Sequence, residues 1–143
     1  MRIFLDANIL VSVLNKEYPL FTYTSRIVSL ADKNRFHLYT TPVCLAIAFY
    51  FAEKKFRSVT AKNKVAILSE HINIAEVNKS CVSKTLKNPA VNDFEDGLEY
   101  YAALENKCNY IITEDTDDFY FSEIEVLRSE AFFEKYLAGT KNK

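Results

Sequence analysis

Residues 93–113 read DFEDGLEYYAALENKCNYIIT, and this stretch decides the class of fold that the 143-residue sequence predicts. Its apolar spacing predicts a helix from Asp93 to Asn106, followed by a strand from Tyr110 to Thr113. The same alternation continues downstream, with a strand at Glu125–Leu127 and a helix at Ser129–Leu137. Such alternation is typical of a parallel sheet, because each parallel connection needs a crossover long enough to hold a helix.

The N-terminal ninety residues show the same alternation of strands and helices. We predict strands at Arg2–Leu5, His37–Tyr39 and Asn73–Glu76. We predict helices at Leu20–Asn34, from Pro42 through Ala52 and beyond with Thr41 as N-cap, at Ser58–Glu70 and at Asn78–Leu86. The sequence therefore predicts one α/β domain over residues 1–143, with a central, mostly parallel sheet covered by helices on both faces.

The composition excludes two classes of nucleotide site. Hydrophobic residues make up 49% of the chain and charged residues 26%, which is typical of an ordered globular protein. The chain has only 2 glycines, Gly97 and Gly139. They cannot form a GxGxxG or a GxxxxGK[ST] loop, so the common dinucleotide and P-loop sites are excluded.

Cysteine usage and hydropathy predict a cytoplasmic protein. Cys44, Cys81 and Cys108 are odd in number and widely spaced, a pattern that favours buried free thiols in a reducing compartment. The N-terminal sequence MRIFLDAN lacks the apolar core of a signal peptide. The longest apolar run, Val43–Ala52, has about half the length that a membrane span needs. We therefore expect no membrane association.

Aspartates follow two predicted strands and open one predicted helix. Asp6 comes directly after the first strand, and Asp115 and Asp118 follow the fourth. Asp93 and Asp96 open the helix between them. In open parallel sheets the ligand crevice lies beyond the carboxyl ends of the strands, so we expect these carboxylates to converge there. A hard divalent cation, Mg²⁺ or Mn²⁺, suits such an all-oxygen site.

Each of these aspartates also has a purely structural explanation. Asp6 has the position of an N-cap for the residues that follow, and Asp93 and Asp96 have the spacing of a capping box. Asp115 and Asp118 fit a solvated turn. Because all five occur at predicted strand ends or at a helix start, we favour a metal site over five unrelated structural roles.

Four blocks of the sequence resemble the PIN domain family. They are LDANILV at Leu5–Val11, TPVCLAIAFYF at Thr41–Phe51, the stretch at Asp93–Thr113 and EDTDDF at Glu114–Phe119. The blocks occur in the family's order over nearly the whole chain. PIN domains are metal-dependent ribonucleases that include the VapC-type toxins of prokaryotic toxin–antitoxin modules. The resemblance implies a three-layer α/β/α sandwich with a central, mostly parallel sheet.

The resemblance also implies which residues form the active site. The catalytic and metal-binding residues would be Asp6, Asp96 and Asp115. The auxiliary residues would be Asn8, Asp93 and Asp118. The implied cofactor is Mg²⁺ or Mn²⁺.

One position departs from the family pattern. The family normally has a glutamate six residues after the Ser or Thr that opens the second block, and counting from Thr41 places Ile47 there. Isoleucine offers no oxygen to a metal ion or to a water molecule. Glu53 lies six residues further along, on a different side of the predicted helix, so we do not expect it to act as a substitute.

The implied activity is hydrolysis of RNA phosphodiester bonds by the toxin of a type II module. The implied partners are RNA, a cognate antitoxin that occupies the acidic crevice, and a second copy of the chain. The alternative is a degenerate PIN domain that binds RNA or a protein without cleavage, for which Ile47 is the support. A phosphotransfer domain with Asp6 as nucleophile is disfavoured, because the haloacid-dehalogenase pattern wants an aspartate where Asn8 stands.

The net charge of −1 conceals two halves of opposite charge. Residues 1–90 contain 13 basic and 6 acidic residues, a net charge of +7, whereas residues 91–143 contain 5 basic and 13 acidic residues, a net charge of −8. Lys54, Lys55 and Arg57 in the basic half are candidates for binding an RNA backbone. An evenly spread, solvated surface is the alternative for them. The apolar stretch Val43–Phe51 fits either the core or a dimer surface.

Overall fold

The computed structural model describes residues 1–137 and contains a five-stranded sheet in the order β3-β2-β1-β4-β5. The strands are β1 (Arg2–Leu5), β2 (His37–Thr40), β3 (Asn73–Ile74), β4 (Tyr110–Ile112) and β5 (Glu125–Leu127). All four strand pairs are parallel. The predicted α/β class is confirmed, and the sheet is parallel throughout. The central strand β1 is buried over Ile3, Phe4 and Leu5, as a strand covered on both faces must be.

Seven α-helices surround the sheet within residues 1–137. They are α1 (Ala7–Asn15), α2 (Phe21–Val28), α3 (Pro42–Lys55), α4 (Ser58–His71), α5 (Lys79–Lys87), α6 (Phe94–Glu105) and α7 (Ser129–Tyr136). Two 3₁₀ helices cover Ser29–Asp32 and Thr116–Phe119. The helix at α3 begins as predicted, because Pro42 occupies its first turn and the Thr41 hydroxyl accepts a hydrogen bond from the backbone N–H of Cys44.

The strand order distributes the helices over two faces. The chain moves outward from β1 to β2 to β3 through α1 to α4, and it then returns past β1 through α5 and α6. Because parallel crossovers are right-handed, a reversal of direction places the connecting helices on the opposite face. The packing agrees, since α3 contacts α1 and α4 whereas α5 pairs with α6. The predicted α/β/α sandwich is therefore confirmed.

Three segments differ from the sequence-based expectation. The helix α1 was not among the predicted elements, because a short, mostly apolar run with several β-branched residues is also typical of a strand, although Asn8, Ser12 and Asn15 have helical spacing. The helix expected over Leu20–Asn34 is instead divided into α2 and the 3₁₀ helix at Ser29–Asp32. The strand expected at Asn73–Glu76 is shorter, because β3 pairs with β2 only over Asn73–Ile74.

Close packing of α5 on α6 depends on Gly97. A Cβ atom at this position would overlap the side chains of Thr85 and Val91. Only glycine lets the two helices approach this closely without a shift. Gly97 follows Asp96 directly, so this packing also sets the position of the acidic first turn of α6. Gly139 lies outside the described residues.

The remaining fold-level predictions concern cysteines and membranes. Cys44, Cys81 and Cys108 are free and buried, as predicted. Burial raises the pKa of the Cys108 thiol to about 12, so this thiol is unreactive at neutral pH. Within residues 1–137, each helix is too short or too polar to cross a membrane. Of the stretch Val43–Phe51, Cys44 and Ala48 are buried whereas Phe51 is exposed, so this stretch serves the core and also contributes to the surface.

Candidate active site

The parallel pairing of β1 with β4 brings two segments of the site together. Leu5 of β1 is in register with Ile112 of β4, so the next residues, Asp6 and Thr113, emerge at the same edge of the sheet. The backbone N–H of Asp6 continues the ladder by donating to the Ile112 carbonyl at 3.1 Å. The predicted convergence of strand ends therefore occurs here.

The Asp6 carboxylate is held in a fixed orientation. One oxygen accepts a hydrogen bond from the backbone N–H of Ala7 at 2.6 Å, so Asp6 is also the N-cap of α1. The other oxygen accepts from the Thr113 hydroxyl at 2.7 Å. With only 8% of its surface exposed, Asp6 lies at the floor of the site. The structural role and the site role of Asp6 are therefore compatible.

Asn8 connects the two strand ends. Its side-chain Nδ2 lies 3.2 Å from a carboxylate oxygen of Asp115, 3.1 Å from the Thr113 hydroxyl and 3.5 Å from an oxygen of Asp6. Its Oδ1 accepts a hydrogen bond from the backbone N–H of Glu114 at 3.2 Å. An amide placed in this way keeps two carboxylates close together without adding charge of its own.

The first turn of α6 supplies a second acidic group. Asp93 is the N-cap, and its carboxylate accepts a hydrogen bond from the backbone N–H of Asp96 at 3.1 Å. Asp96 is half-buried, and its pKa is raised to about 7, first by burial and then by the charge of Asp93. Weaker contributions come from Asp118, Asp6 and Glu95. The pKa of Asp96 is thus raised mainly by burial, and the neighbouring carboxylates add to that effect.

These groups line one open pocket of about 400 Å³. Its polar lining includes Asp6, Asn8, Glu95, Asp96, Asp115 and Asp118. Its apolar lining includes Ala7, Val11, Leu20, Ile47 and Phe51. The structure thus brings five of the six predicted site residues to one pocket, whereas Asp93 caps α6 and does not line it. Desolvation, followed by the charge of Asp115, raises the pKa of Asp118 in this lining.

Ile47 forms part of the pocket wall. It is half-buried on α3, and its side chain adds apolar surface at the position where the resemblance to the family led us to expect a carboxylate. The position at which the sequence differs from the expected pattern therefore lies at the pocket. Phe51, one turn further along α3, extends the same wall.

Sequence reasoning missed several acidic residues: Glu17, Glu95 and Glu114 line the pocket, and Glu99 is buried near Asp6. Glu99 is 1% exposed, and one of its oxygens accepts a hydrogen bond from the Cys44 thiol at 3.0 Å. Burial, followed by the proximity of Cys44 and Asp6, raises the pKa of Glu99 well above its usual range. The sequence contained only part of the signal, because the three-residue spacing from Asp96 places Glu99 on the same helix face but does not show what that face packs against.

Potential ligand atoms of Asp6, Cys44 and Glu99 lie within 4.8 Å of one another. Among residues 1–137, no other three acidic, cysteine or histidine side chains are grouped this closely. The predicted set of Asp6, Asp96 and Asp115 shares the pocket but not this close spacing. Its donors are carboxylate oxygens, which suit a hard divalent cation that keeps part of its water shell.

The candidate RNA-binding residues lie beside the pocket on the same helix as Ile47. Lys54 and Lys55 are exposed in the last turn of α3, and Arg57 is exposed just after it. Lys54 lies over the Tyr50 ring at 4.2 Å from its centre. Because Lys54 and Lys55 follow the pocket-lining Phe51 by three and four residues, they project from the same side of α3. A basic surface thus adjoins the acidic pocket.

The sequence matches a family model described as the PIN domain over residues 2–117. The chain is similar to "Ribonuclease VapC1" of Aquifex aeolicus (strain VF5), with 26% identity over 94% of this chain and 95% of the relative.

Several solved structures have a similar fold. VapBC2 from Rickettsia felis, solved with a DNA fragment from its promoter, has a TM-score of 0.67 at 17% identity and matches over 90% of this chain and 98% of that one. VapBC-1 from nontypeable Haemophilus influenzae has a TM-score of 0.66 at 20% identity, over 91% and 99%. The sarcin-ricin loop cleaving toxin VapC20 from Mycobacterium tuberculosis has a TM-score of 0.64 at 15% identity, over 82% and 92%. At these identities the likeness concerns the fold.

Proposed function

This chain belongs to the PIN domain family, and from that premise we propose that it is a divalent-metal-dependent endoribonuclease and the toxin of a type II toxin–antitoxin module. The observation that carries the proposal is the acidic pocket, where the ends of β1 and β4 meet the first turn of α6. The similarity to a ribonuclease along nearly the whole chain supports the same activity.

PIN nucleases generally use a divalent metal, and the residues present fit one. The donors are carboxylate oxygens, and Asp93, Asp118 and Asp6 lie close enough to Asp96 for their charges to add to the effect of burial on its pKa. We propose that Asp6, Asp96 and Asp115 hold Mg²⁺ or Mn²⁺. When bound, such an ion supplies Lewis acidity toward a phosphate and makes water a better nucleophile at neutral pH.

The chain's own residues prepare the site for this chemistry. Asn8 holds Asp6 and Asp115 near each other, and Thr113 fixes one oxygen of Asp6. We propose Asn8 and Asp118 as auxiliary residues at the pocket, and Asp93 as the residue that orients Asp96 through the α6 cap. Preorganisation of this kind reduces the reorganisation needed when substrate binds.

RNA is the proposed substrate, and its backbone would lie along the basic surface next to the pocket. Lys54, Lys55 and Arg57 are exposed there and supply positive charge outside the acidic centre. An acidic pocket alone would repel a polyanion, so the neighbouring positive charge is needed for the RNA chain to bind.

The proposed protein partners are a cognate antitoxin and a second copy of this chain. Relatives of similar fold are solved as VapBC complexes, which supports an antitoxin as partner. The acidic pocket suits an arginine of that antitoxin, because a guanidinium pairs strongly with carboxylates and would compete with the metal. We further propose that residues 1–143 form one domain and that the protein is cytoplasmic, in keeping with its three free cysteines.

The test is cleavage of a structured RNA by the full chain in the presence of Mn²⁺. Wild type should cleave, and Asp6→Asn should reduce cleavage by at least about a hundredfold, because it removes a charge at the pocket floor. Asp117→Asn is the matched control, since Asp117 is exposed in the same acidic loop but does not line the pocket. Equal cleavage by wild type and Asp6→Asn, or none by either, contradicts the proposal.

Ile47 favours a second candidate, a PIN domain that binds RNA or a protein without cleavage. Calorimetric titration with Mn²⁺ separates the two candidates. A nuclease should give site-specific heat that Asp6→Asn removes, whereas a degenerate domain should give none.

A further inference from the structure

A buried carboxylate behind Asp6 is left without a full set of partners. Glu99 is 1% exposed, and while one oxygen accepts from the Cys44 thiol, the other, Oε2, has no hydrogen-bond partner. A buried carboxylate oxygen without a partner is strongly unfavourable, and such groups in folded proteins need an explanation. Glu99 therefore signals a missing ligand more directly than the exposed acids of the pocket do.

Glu99 belongs to a group that already contains a pocket residue. Ligand atoms of Glu99, Asp6 and Cys44 lie within 4.8 Å of one another, and Asp6 lines the pocket floor. Two carboxylates so close together repel each other when both are ionised, and burial of both strengthens that repulsion. A divalent cation shared by Asp6 and Glu99 would remove the repulsion and satisfy the open oxygen.

The position of Glu99 relative to α3 links it to the departure at Ile47. Cys44, which donates to Glu99, lies on α3 three residues before Ile47, so the two α3 residues project from the same side of the helix. Glu99 on α6 thus reaches the side of α3 on which the family pattern places its glutamate. A carboxylate is absent from α3 at position 47, and α6 brings another one, that of Glu99, within hydrogen-bond distance of Cys44 on α3.

We propose that Glu99 is the fourth acidic metal ligand of this site, supplying from α6 the carboxylate that Ile47 does not supply from α3. The inference rests on the proposed function, since it assumes that the pocket takes a divalent cation. It goes beyond that function by assigning a ligand at a position outside the family pattern.

The experiment measures Mn²⁺ binding to the full chain by isothermal titration calorimetry. Glu99→Gln keeps the shape of the side chain but removes its charge, so Mn²⁺ affinity should fall by at least about tenfold. Glu105→Gln is the control on the same helix, because Glu105 pairs with Lys84 away from the pocket. Its affinity should equal that of wild type.

Thermal unfolding in EDTA separates a lost ligand from a damaged fold. Without metal, Glu99→Gln should be about as stable as wild type, because the amide keeps the size and shape of the side chain and carries no charge beside Asp6. Glu99→Asp is the second variant. It keeps the carboxylate but withdraws it by one methylene, and it should bind Mn²⁺ with intermediate affinity.

Ile47→Glu in the Glu99→Gln background tests whether a carboxylate at position 47 of α3 can replace the one at position 99 of α6. This double variant should regain most of the lost Mn²⁺ affinity, because position 47 lines the same pocket. Failure to regain it overturns the claim that Glu99 replaces position 47. Wild-type affinity in Glu99→Gln overturns the inference and leaves the proposed function intact, whereas absence of Mn²⁺ binding by wild type overturns both.

Discussion

The two sides of the acidic pocket differ in how far their polar groups are satisfied. On the strand side, formed by the ends of β1 and β4, hydrogen bonds join Asp6, Asn8 and Asp115 into one network. On the helix side, formed by α6, Asp96 has a pKa of about 7 and Glu99 has a buried oxygen without a partner. The strand side is therefore organised before any ion binds, whereas a bound ion would stabilise the helix side most.

This difference follows from what each element offers. The strand ends provide the backbone N–H of Ala7, the Thr113 hydroxyl and the Asn8 amide, all of which donate to carboxylates. The interior of α6 uses its own N–H groups in the helix, so a carboxylate on its buried face finds few donors. We therefore expect changes on the strand side to affect geometry and cleavage, and changes on the helix side to affect metal affinity, pH dependence and stability.

Removing the amide that joins the strand ends should have the largest effect. Asn8→Ala deletes the hydrogen bonds to Asp6 and Asp115, which leaves two carboxylates free to move apart. We expect RNA cleavage at saturating Mn²⁺ to fall by about 10- to 100-fold, as is usual when a residue that orients metal ligands is lost. Single-turnover cleavage measures it, and the exposed Asn92→Ala is the control. Unchanged cleavage would falsify the view that the strand side is held by Asn8.

On the helix side, the corresponding change is Gly97→Ala. The added Cβ overlaps the side chains of Thr85 and Val91, so α6 must move away from α5. We expect the free energy of unfolding to fall by about 1–3 kcal/mol, the usual effect of overpacking. Urea unfolding followed by circular dichroism measures this change. Adding Thr85→Ser removes the overlapping methyl group and should recover part of the loss, and a double variant no more stable than Gly97→Ala would contradict the steric cause.

The pH dependence of metal binding should also arise on the helix side. Burial first, and then the charge of Asp93, raise the pKa of Asp96 to about 7, so below pH 7 the metal must displace a proton. We expect Mn²⁺ affinity to fall by about tenfold per pH unit below 7 and to level off above it. Calorimetry from pH 5.5 to 8.5 measures this dependence. Asp96→Asn should bind more weakly, with a flatter profile.

The raised pKa of Asp96 also predicts how the stability of the metal-free protein changes with pH. A carboxyl group whose pKa is raised by folding binds its proton more tightly in the folded state than in the unfolded chain. The stability contribution of Asp96 is therefore greatest below its ordinary pKa of 3.8 and falls as the pH rises to about 7. In EDTA, wild type should lose more stability than Asp96→Asn over this range, and parallel pH profiles would contradict the assignment.

The strand side could be predicted from sequence, whereas most of the helix side could not. Asp6 and Asp115 follow apolar strands, and parallel pairing necessarily gathers such residues at one edge. Asp93 could be read as an N-cap because capping depends on local spacing alone. Each of these predictions needed only local sequence and the general geometry of a parallel sheet.

Glu99 required information that local sequence does not contain. Its spacing from Asp96 shows that the two share a helix face, but not that this face packs against Asp6 and Cys44. The helix α1 was missed because its nine residues are mostly apolar and three are β-branched, a short run that is also typical of a strand. Sequence patterns thus predicted most elements and the acids that follow strands or open a helix, including the buried Asp6, whereas tertiary packing revealed Glu99.

Neutralising the basic surface beside the pocket should have the smallest effect on the metal site. It tests whether the difference between the strand side and the helix side of the pocket arises only from residues at the pocket. Changing Lys54, Lys55 and Arg57 together to Gln should weaken RNA binding and lower the slope of its logarithmic salt dependence by about 2, since three phosphate contacts are lost. Mn²⁺ affinity and its pH dependence should stay unchanged, because these exposed side chains project from the end of α3 outside the pocket.

Filter binding at several salt concentrations measures the slope of the salt dependence. The control is the double variant Lys79→Gln with Lys87→Gln, on the opposite face of the sheet. An equal loss of RNA binding in that control would mean that the whole basic half attracts RNA. An altered pH profile of Mn²⁺ binding in the triple variant would mean that the raised pKa of Asp96 reflects the charge of the whole protein and not only burial and the charge of Asp93.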